Sequence, residues 1–324
     1  MKQRIAAVFS ILLMLMTMLS CFPAPGIQET HIRQETIVSL SDATPSPLPE
    51  IQTPSPTQEA KESPTPDFDV PWYRERNTEL ADLIKRYNPT EADDQIEQDI
   101  ARMAIDPDKP MVALTFDDGP YPGSTDQILD VLEENNARAT FYVCGWHFEH
   151  EKNQDILRRM AALGCEIGNH TWSHRNLLKQ NYVSVRYEVK NTNDIIYQIA
   201  GVHPRTLRPP GGRYNYEAIR VARENGMAVV LWSQSGNVHE SDPSRIAQNV
   251  EKQIVDGKEL HDGDIILLHD SQTNMVDAVK IIVPQLIQEG YQLVTVWELL
   301  NCSDEGFVPG ALYDRQQTNA SADR

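Results

Sequence analysis

Apolar and polar residues alternate along the middle of the chain with two different periods. Short, almost continuous apolar runs predict buried strands near 111–116, 139–144, 165–169, 205–208, 227–233, 264–269 and 292–296. Longer stretches, with apolar residues every three or four positions, predict helices at 124–136, 151–163, 182–200, 215–225, 243–256 and 275–289. Such alternation indicates parallel strands with crossover helices. We therefore expect an α/β fold, a distorted (β/α) barrel with about seven parallel strands, one fewer than the usual barrel.

Two amphipathic helical patterns precede this region. They cover Tyr73–Tyr87 and Thr90–Met103 and are separated by Asn88-Pro89. Each has a narrow apolar face. The segment 71–108 is therefore expected either to pack on the main domain as a helical lead-in or to form a partner-binding hairpin.

The first seventy residues have the composition of an export signal followed by a linker. A short basic region precedes an apolar run from Ile5 to Leu19, which is typical of a signal peptide over 1–21 and too short for a comfortable membrane span. The residues around Cys21 also resemble a bacterial lipoprotein cleavage box, in which the cysteine becomes lipidated. Residues 22–70 are rich in Pro, Ser and Thr and predict a disordered tether. We expect export to the cell surface or envelope, with lipid attachment to the membrane or secretion.

The net charge and the number of cysteines disfavour one class of partner and one class of fold. The net charge is −18, and the chain has no cluster of Lys and Arg that could bind phosphates, so nucleic acid is not an expected partner. Apart from Cys21, the three cysteines leave an odd number, which disfavours a disulfide framework and predicts buried thiols. One folded domain is expected at 109–302, with a C-terminal tail at 303–324. The oligomeric state is not indicated.

Polar residues that could carry chemistry follow several of the predicted strands. They are Asp117 and Asp118 after the first strand, His170 and His174 after the third, Arg208 at the end of the fourth, and His269 with Asp270 after the sixth. Because the carboxyl ends of barrel strands share one rim, we expect these side chains to form a common site.

The two histidines suggest a metal site. They lie four residues apart, so a helical turn would present both imidazoles on one face. Together with one carboxylate they would form a set of two histidines and one aspartate, which suits zinc and leaves a position open for water and substrate. Either Asp117 or Asp118 could be the third ligand, and the other would then be a base.

Four segments resemble the signatures of a known family. They are Thr115-Phe116-Asp117-Asp118-Gly119, His170-Thr171-Trp172-Ser173-His174, Arg208-Pro209-Pro210-Gly211-Gly212 and Leu267-Leu268-His269. In order and spacing they are similar to those of the polysaccharide deacetylases with the NodB homology domain, carbohydrate esterase family 4. The most similar members are the peptidoglycan N-acetylglucosamine deacetylases. The resemblance covers about Lys109 to Leu300.

The resemblance implies a role for each matching residue. Asp117 would be the general base, held by Arg208. Asp118 would bind a divalent metal together with His170 and His174. Zinc is the expected ion, and cobalt or another divalent ion is the alternative.

On the other side of the site, the resemblance makes His269 the general acid and Leu267 part of the pocket wall. The backbone N–H of Gly211 is the expected donor to the oxyanion that forms during amide hydrolysis. Many family members carry an aromatic residue at the position of Gly211. The larger departure is Ser235 to Glu240, where Val238 and His239 replace a family Asp-Trp pair; in the family that Asp tunes the acid histidine.

The favoured function is removal of N-acetyl groups from an exported or cell-wall polysaccharide. Peptidoglycan N-acetylglucosamine is the favoured substrate, because an export signal and a tether would hold the domain beside its own cell wall. Two alternatives are considered. One is a carbohydrate-binding homologue without turnover, suggested by the altered segment after the fifth strand, and the other is an O-acetyl xylan-type esterase.

Overall fold

The computed structural model describes residues 70–235, 243–244, 260–271, 273–303 and 306–316. The predictions made for the signal peptide, Cys21 and the tether up to residue 69 lie outside these residues. So do those for Val238, His239 and most of the helix expected at 243–256.

Most predicted helices and strands are present in the described residues. The α-helices are α1 (Pro71–Tyr87), α2 (Asp93–Arg102), α3 (Thr125–Glu134), α4 (Glu151–Ala162), α5 (Tyr182–Ala200), α6 (Tyr216–Glu224), α7 (Thr273–Gln288) and α8 (Val296–Asn301). The strands are β1 (Met111–Asp117), β2 (Thr140–Val143), β3 (Glu166–Asn169), β4 (Thr206–Leu207), β5 (Ala228–Val230), β6 (Gln234–Ser235), β7 (Ile265–His269), β8 (Gln292–Leu293) and β9 (Leu312–Tyr313). One-turn 3₁₀ helices occur at Gly145–Glu149, Leu177–Lys179 and Pro210–Gly212.

The strands form one curled parallel sheet surrounded by helices. Their order is β6-β7-β1-β2-β3-β4-β5-β9, with β8 beside the start of β1, and every strand pair is parallel. The prediction of a distorted (β/α) barrel is confirmed, although the described residues contain nine short strands rather than seven.

The fifth predicted strand, 227–233, is shorter than expected, because β5 ends at Val230 and β6 begins only at Gln234. β5 pairs with β4 and β9, whereas β6 pairs with β7 on the other side of the sheet. At the break, the carbonyl oxygen of Leu231 accepts a hydrogen bond of 2.7 Å from Nη2 of Arg208 instead of continuing the ladder. The break therefore belongs to the arrangement that holds Arg208.

One prediction near the C-terminus is wrong, namely the length of the last predicted strand. Residues 294–296 do not extend the last predicted strand, because Thr295 caps α8: its Oγ1 accepts from the Glu298 N–H at 3.2 Å, and its own N–H donates to Glu298 Oε2 at 2.9 Å. The predicted C-terminal tail contains β9, which pairs with β5. Part of that segment therefore belongs to the sheet.

The two faces of β1 explain where the site lies. Val112, Leu114 and Phe116 pack in the core between the sheet and the helices. Met111 and Ala113 lie in a second apolar cluster, inside the barrel. The next positions on the interior face are Thr115 and Asp117, which are polar and buried. The interior therefore changes from apolar to polar towards the carboxyl ends of the strands.

The lead-in helices pack on the domain at the end of the barrel opposite the carboxyl ends of the strands. Nε of Arg76 in α1 lies 2.8 Å from Oε1 of Glu298 in α8, and both side chains are buried. Nε of Arg138 lies 3.1 Å from Oε2 of the same Glu298. The Oη of Tyr87 in α1 donates a hydrogen bond of 2.8 Å to the Ala200 carbonyl. These contacts favour the packed lead-in over the partner-binding hairpin.

The remaining general expectations concern cysteines and membrane spans. Cys144 and Cys165 are buried and free, as expected, whereas the free thiol of Cys302 is partly exposed. Among the helices in the described part of the chain, none combines the length and apolar character needed to cross a bilayer.

Candidate active site

The carboxylates of Asp117 and Asp118 are adjacent in sequence but have different partners. Asp117 is the last residue of β1, aligned with His269 on β7, and its side chain is buried. Asp118 leaves the strand with a φ of 77°, in the left-handed region. That backbone turn places Asp117 beside Arg208 and Asp118 beside His174, whereas Nε2 of His170 lies 3.7 Å from Asp117 and 3.4 Å from Asp118.

Arg208 is a fully buried cation beside Asp117. Its Nη1 donates to Asp117 Oδ1 at 2.8 Å and to Thr115 Oγ1 at 2.5 Å, and its Cζ lies 4.0 Å from the centre of the Tyr142 ring. Together with the bond to the Leu231 carbonyl, these contacts hold the guanidinium in one orientation. Arg208 thereby restrains the rotation of the Asp117 carboxylate.

The histidine pair comes together without the helical turn that its four-residue spacing would allow. Residues 170–176 form an irregular loop in which Thr171 and His174 have φ values of 71° and 55°. The imidazole centres of His170 and His174 are nevertheless 5.1 Å apart.

Two buried polar side chains hold this loop. Asn169 Oδ1 accepts from the Thr171 N–H at 2.7 Å, and Asn169 Nδ2 donates to the Val189 carbonyl at 2.8 Å. Glu188 of α5 accepts from both the N–H and the hydroxyl of Ser173, each at 2.7 Å. These bonds stabilise the uncommon left-handed conformations on either side of Trp172.

Asp118, His170 and His174 form a group that could hold a metal ion. One ligand atom from each residue lies within 4.8 Å of the others. His170 Nδ1 is 2.7 Å from the Arg208 carbonyl oxygen, which fixes the tautomer in which Nδ1 donates and Nε2 is free to bind a cation.

The three residues suit a divalent cation chemically. Nε2 of His170 and of His174 lie 3.4 and 3.1 Å from Asp118 Oδ1, an oxygen that has no hydrogen bond of suitable geometry in the described structure. Burial opposes ionisation of Asp118, but the closeness of His170 and His174 outweighs burial, so the pKa of Asp118 is lowered. The same contact with Asp118 raises the pKa of His174. Two imidazoles and one ionised carboxylate are a common zinc-binding set.

His269 lies beside this group at the end of β7. Its Nε2 is 3.7 Å from Asp118 Oδ2, and its buried Nδ1 has no hydrogen-bond partner among the described residues. Burial lowers the pKa of His269, and the negative charges of Asp117 and Asp118 oppose that effect. The segment predicted to lack the usual acidic partner, 236–240, lies outside the described residues.

Leu267 and Gly211 are each close in sequence to a residue of the site. Leu267 precedes His269 by two residues on β7, so both side chains face the barrel interior, and Leu267 is buried. Gly211 follows Arg208 by three residues and has a φ of 60°. A Cβ at Gly211 would meet no atom within 4 Å, so the left-handed backbone, rather than crowding, favours glycine there.

Sequence reasoning missed the residues that support the site. Thr115 had a usable signal, since it is a polar residue two positions before Asp117 on the same strand face. Glu188 had one as well, because it lies in the buried stripe of α5 that includes Val185, Val189 and Thr192. A charged residue on a buried helix face indicates a specific partner.

Comparison with known proteins identifies the family to which the chain belongs. Residues 104–230 match the family model for polysaccharide deacetylase. Over 200 residues the chain is 37% identical to a peptidoglycan-N-acetylglucosamine deacetylase of Bacillus cereus, covering 59% of this chain and 88% of that protein. The chain belongs to the polysaccharide deacetylase family.

Other members of the polysaccharide deacetylase family show similar agreement. The peptidoglycan-N-acetylmuramic acid deacetylase PdaC of Bacillus subtilis is 38% identical over 197 residues, which are 60% of this chain but only 40% of that relative. The solved PdaC structure has a TM-score of 0.56 at 36% identity, covering 61% of this chain and 93% of the solved chain. A family 4 acetyl xylan esterase from Clostridium thermocellum, solved with a cobalt ion, has a TM-score of 0.57 at 32% identity. The match covers 63% of this chain and 98% of the solved chain.

Proposed function

We propose that this protein is a metal-dependent hydrolase that removes N-acetyl groups from peptidoglycan. One observation carries the proposal: Asp118, His170 and His174 converge within 4.8 Å beside an Asp117 carboxylate held by a buried arginine. The relatives named as peptidoglycan deacetylases support this substrate class.

Asp118, His170 and His174 would hold the divalent ion, with zinc the first choice from the ligand set and cobalt an alternative. When bound, the ion would polarise the acetyl carbonyl and favour ionisation of water.

The remaining chemistry belongs to residues of this chain. Asp117 is positioned to take a proton from the water that adds to the acetyl carbonyl carbon, while Arg208 keeps the carboxylate oriented. When the C–N bond breaks, His269 gives a proton to the departing amine. The products are acetate and a free amino sugar. The N–H of Gly211 is the proposed donor to the developing oxyanion, and Leu267 is the proposed pocket wall.

The expected export of the chain favours peptidoglycan over other N-acetylated polymers. A signal peptide at 1–21 and a tether at 22–70 would deliver the domain to the envelope, and lipidation of Cys21 would retain it at the membrane. N-acetylglucosamine is the favoured sugar, as in the Bacillus cereus relative, and N-acetylmuramic acid, as in PdaC, is the second choice.

Two other functions have specific support. An O-acetyl xylan esterase is suggested by the relative from Clostridium thermocellum. A carbohydrate-binding protein without turnover is suggested by the sequence Val238-His239, which would deprive His269 of an acidic partner.

Acetate release distinguishes the three functions. Full-length protein would be incubated with peptidoglycan fragments, N-acetylglucosamine oligomers and acetylated xylan, with added zinc or cobalt or with a chelator. We expect metal-dependent release from the N-acetylated glycans. Release from xylan alone would establish the esterase, and glycan binding without release under either metal would contradict the enzyme function.

A further inference from the structure

An aromatic stack lies beside the proposed metal group. The indole of Trp146 stacks on the imidazole of His147, with ring centres 3.8 Å apart and an angle of 27°. The edge of Tyr121 meets His147, at 4.8 Å and 74°. The His147 side chain is therefore held between two larger aromatic rings, one of which is three residues from Asp118.

The loop that carries this stack is joined to the metal-binding loop by main-chain hydrogen bonds. The N–H of Gly145 donates to the Thr171 carbonyl, and the N–H of Trp146 donates to the Trp172 carbonyl, each at 3.1 Å. Gly145 cannot carry a side chain, because a Cβ there would lie 2.4 Å from the Trp172 ring. The positions of Trp146 and of the His170–His174 loop are thus fixed relative to each other.

Trp146 is the exposed member of the stack. Its side chain is 41% exposed, whereas His147 is 4% exposed. A rigidly held indole on the catalytic face offers a large apolar surface at a small entropic cost of binding, because its rotation is already restricted.

We propose that Trp146 is a binding subsite for a sugar ring of the polymer, next to the sugar that is deacetylated. The indole face would pack against the apolar C–H face of a pyranose, and buried His147, itself packed against the edge of the Tyr121 ring, would hold the indole in place. This inference rests on the proposed function, and it adds that Trp146 binds a sugar adjacent to the one that is deacetylated.

Binding measured in the absence of turnover tests the subsite independently of catalysis. Metal-loaded full-length Asp117→Asn protein would be titrated calorimetrically with N-acetylglucosamine oligomers of increasing length. We expect affinity to rise with length, and Trp146→Ala in this background to weaken binding of the longer oligomers by about tenfold while binding of the shortest changes little. Trp146→Tyr should retain most of the affinity.

Tyr197 provides a matched control. It is 51% exposed and stacks on His203 with ring centres 4.2 Å apart, but it lies at the end of α5, away from the carboxyl ends of the strands. Tyr197→Ala should leave the affinity for every oligomer unchanged. Thermal unfolding of each variant would check that the fold is intact.

The outcomes separate this inference from the proposed function. Wild-type protein that releases no acetate but binds oligomers through Trp146 would contradict the enzyme function and support the subsite. Unchanged oligomer affinity in a folded Trp146→Ala variant would overturn the subsite, even if wild-type protein releases acetate. An equal loss of affinity for all lengths would also overturn it, because it would indicate damage to the site itself.

Discussion

Asp117 and Asp118 have different environments although they are neighbours in sequence. Arg208 is 2.8 Å from Asp117, whereas His174 and His170 are 3.1 and 3.4 Å from Asp118. Two carboxylates this close repel each other unless positive charge or hydrogen-bond donors separate them. The arrangement therefore favours a base at Asp117 and a metal ligand at Asp118.

This division of roles predicts different effects of two substitutions. Asp117→Asn should retain the metal and lower turnover by at least about 100-fold, because the group that accepts the proton is neutralised. His174→Ala should lose the metal, since it removes one of the three proposed ligands. Metal content after gel filtration and acetate release would be measured for both. Near-normal turnover of Asp117→Asn would show that another group is the base.

Glu188 is expected to affect the metal site without contacting it. It holds Ser173, next to His174, through two hydrogen bonds of 2.7 Å. Glu188→Ala should weaken zinc binding by about 10- to 100-fold, as is typical when groups that orient metal ligands are lost. Glu188→Gln should recover part of the affinity, since its side-chain carbonyl can still accept one of the two bonds.

Competition with a chromophoric chelator would give the zinc affinity, and the visible spectrum of the cobalt form would report the ligand geometry. Equal zinc affinity of wild type and Glu188→Ala would show that the loop does not need this contact.

The lead-in helices are expected to contribute to the stability of the catalytic domain. Arg76 is buried against Glu298, and Arg76→Ala would leave that carboxylate with the Arg138 guanidinium and the Thr295 N–H. Breaking a buried ion pair costs about 3–5 kcal/mol, and the lower end is expected because Arg138 remains. Urea unfolding would measure this loss.

Lys85→Ala is the control, because it breaks the exposed ion pair with Asp93 in the same lead-in. It should have little effect on the free energy of unfolding. Similar values for both variants would contradict a stabilising role for the docked lead-in.

The sequence predicts elements well where the strands are buried on both faces. β1, β2, β3 and β7 were predicted to within two residues, because a buried parallel strand is an almost continuous apolar run. α8 was missed, because Val294 and Val296 continue the apolar pattern of a strand, although Thr295 and Glu298 have the spacing of a capping box.

The identity of the site residues was easier to predict from the sequence than their backbone conformation. The histidine spacing suggested a helical turn, but Thr171 and His174 adopt left-handed conformations that non-glycine residues rarely have. Those conformations depend on Asn169 and on distant Glu188, which no local pattern connects to the loop.

The pH dependence of folding is a property of the whole molecule to which Asp270 should contribute strongly. Burial raises the pKa of Asp270 to about 7, although a hydrogen bond from Thr125 opposes that effect. An unfolded aspartate loses its proton near pH 3.9. Between about pH 4 and 7 the folded state therefore holds one more proton than the unfolded state, and Asp270 lowers the stability by about 1.4 kcal/mol per pH unit.

Asp270→Asn should remove this loss. In chelator-treated protein, the unfolding free energy of the variant relative to wild type should increase from pH 4 to 7 and then level off. The two proteins are compared across pH because burial of the Asn amide changes the free energy of unfolding by an amount that does not depend on pH. Parallel stability curves for the two proteins would show that Asp270 does not stay protonated in the folded state.

The central claim is that the intact protein hydrolyses the amide of an N-acetylated cell-wall sugar. The most direct test is to measure acetate and new free amino groups together, on peptidoglycan fragments treated with zinc-loaded wild-type protein and with Asp117→Asn. We predict that wild-type protein forms both products in equal amounts and that Asp117→Asn forms neither above background. Acetate without matching amines, or equal activity of the two proteins, would contradict this account.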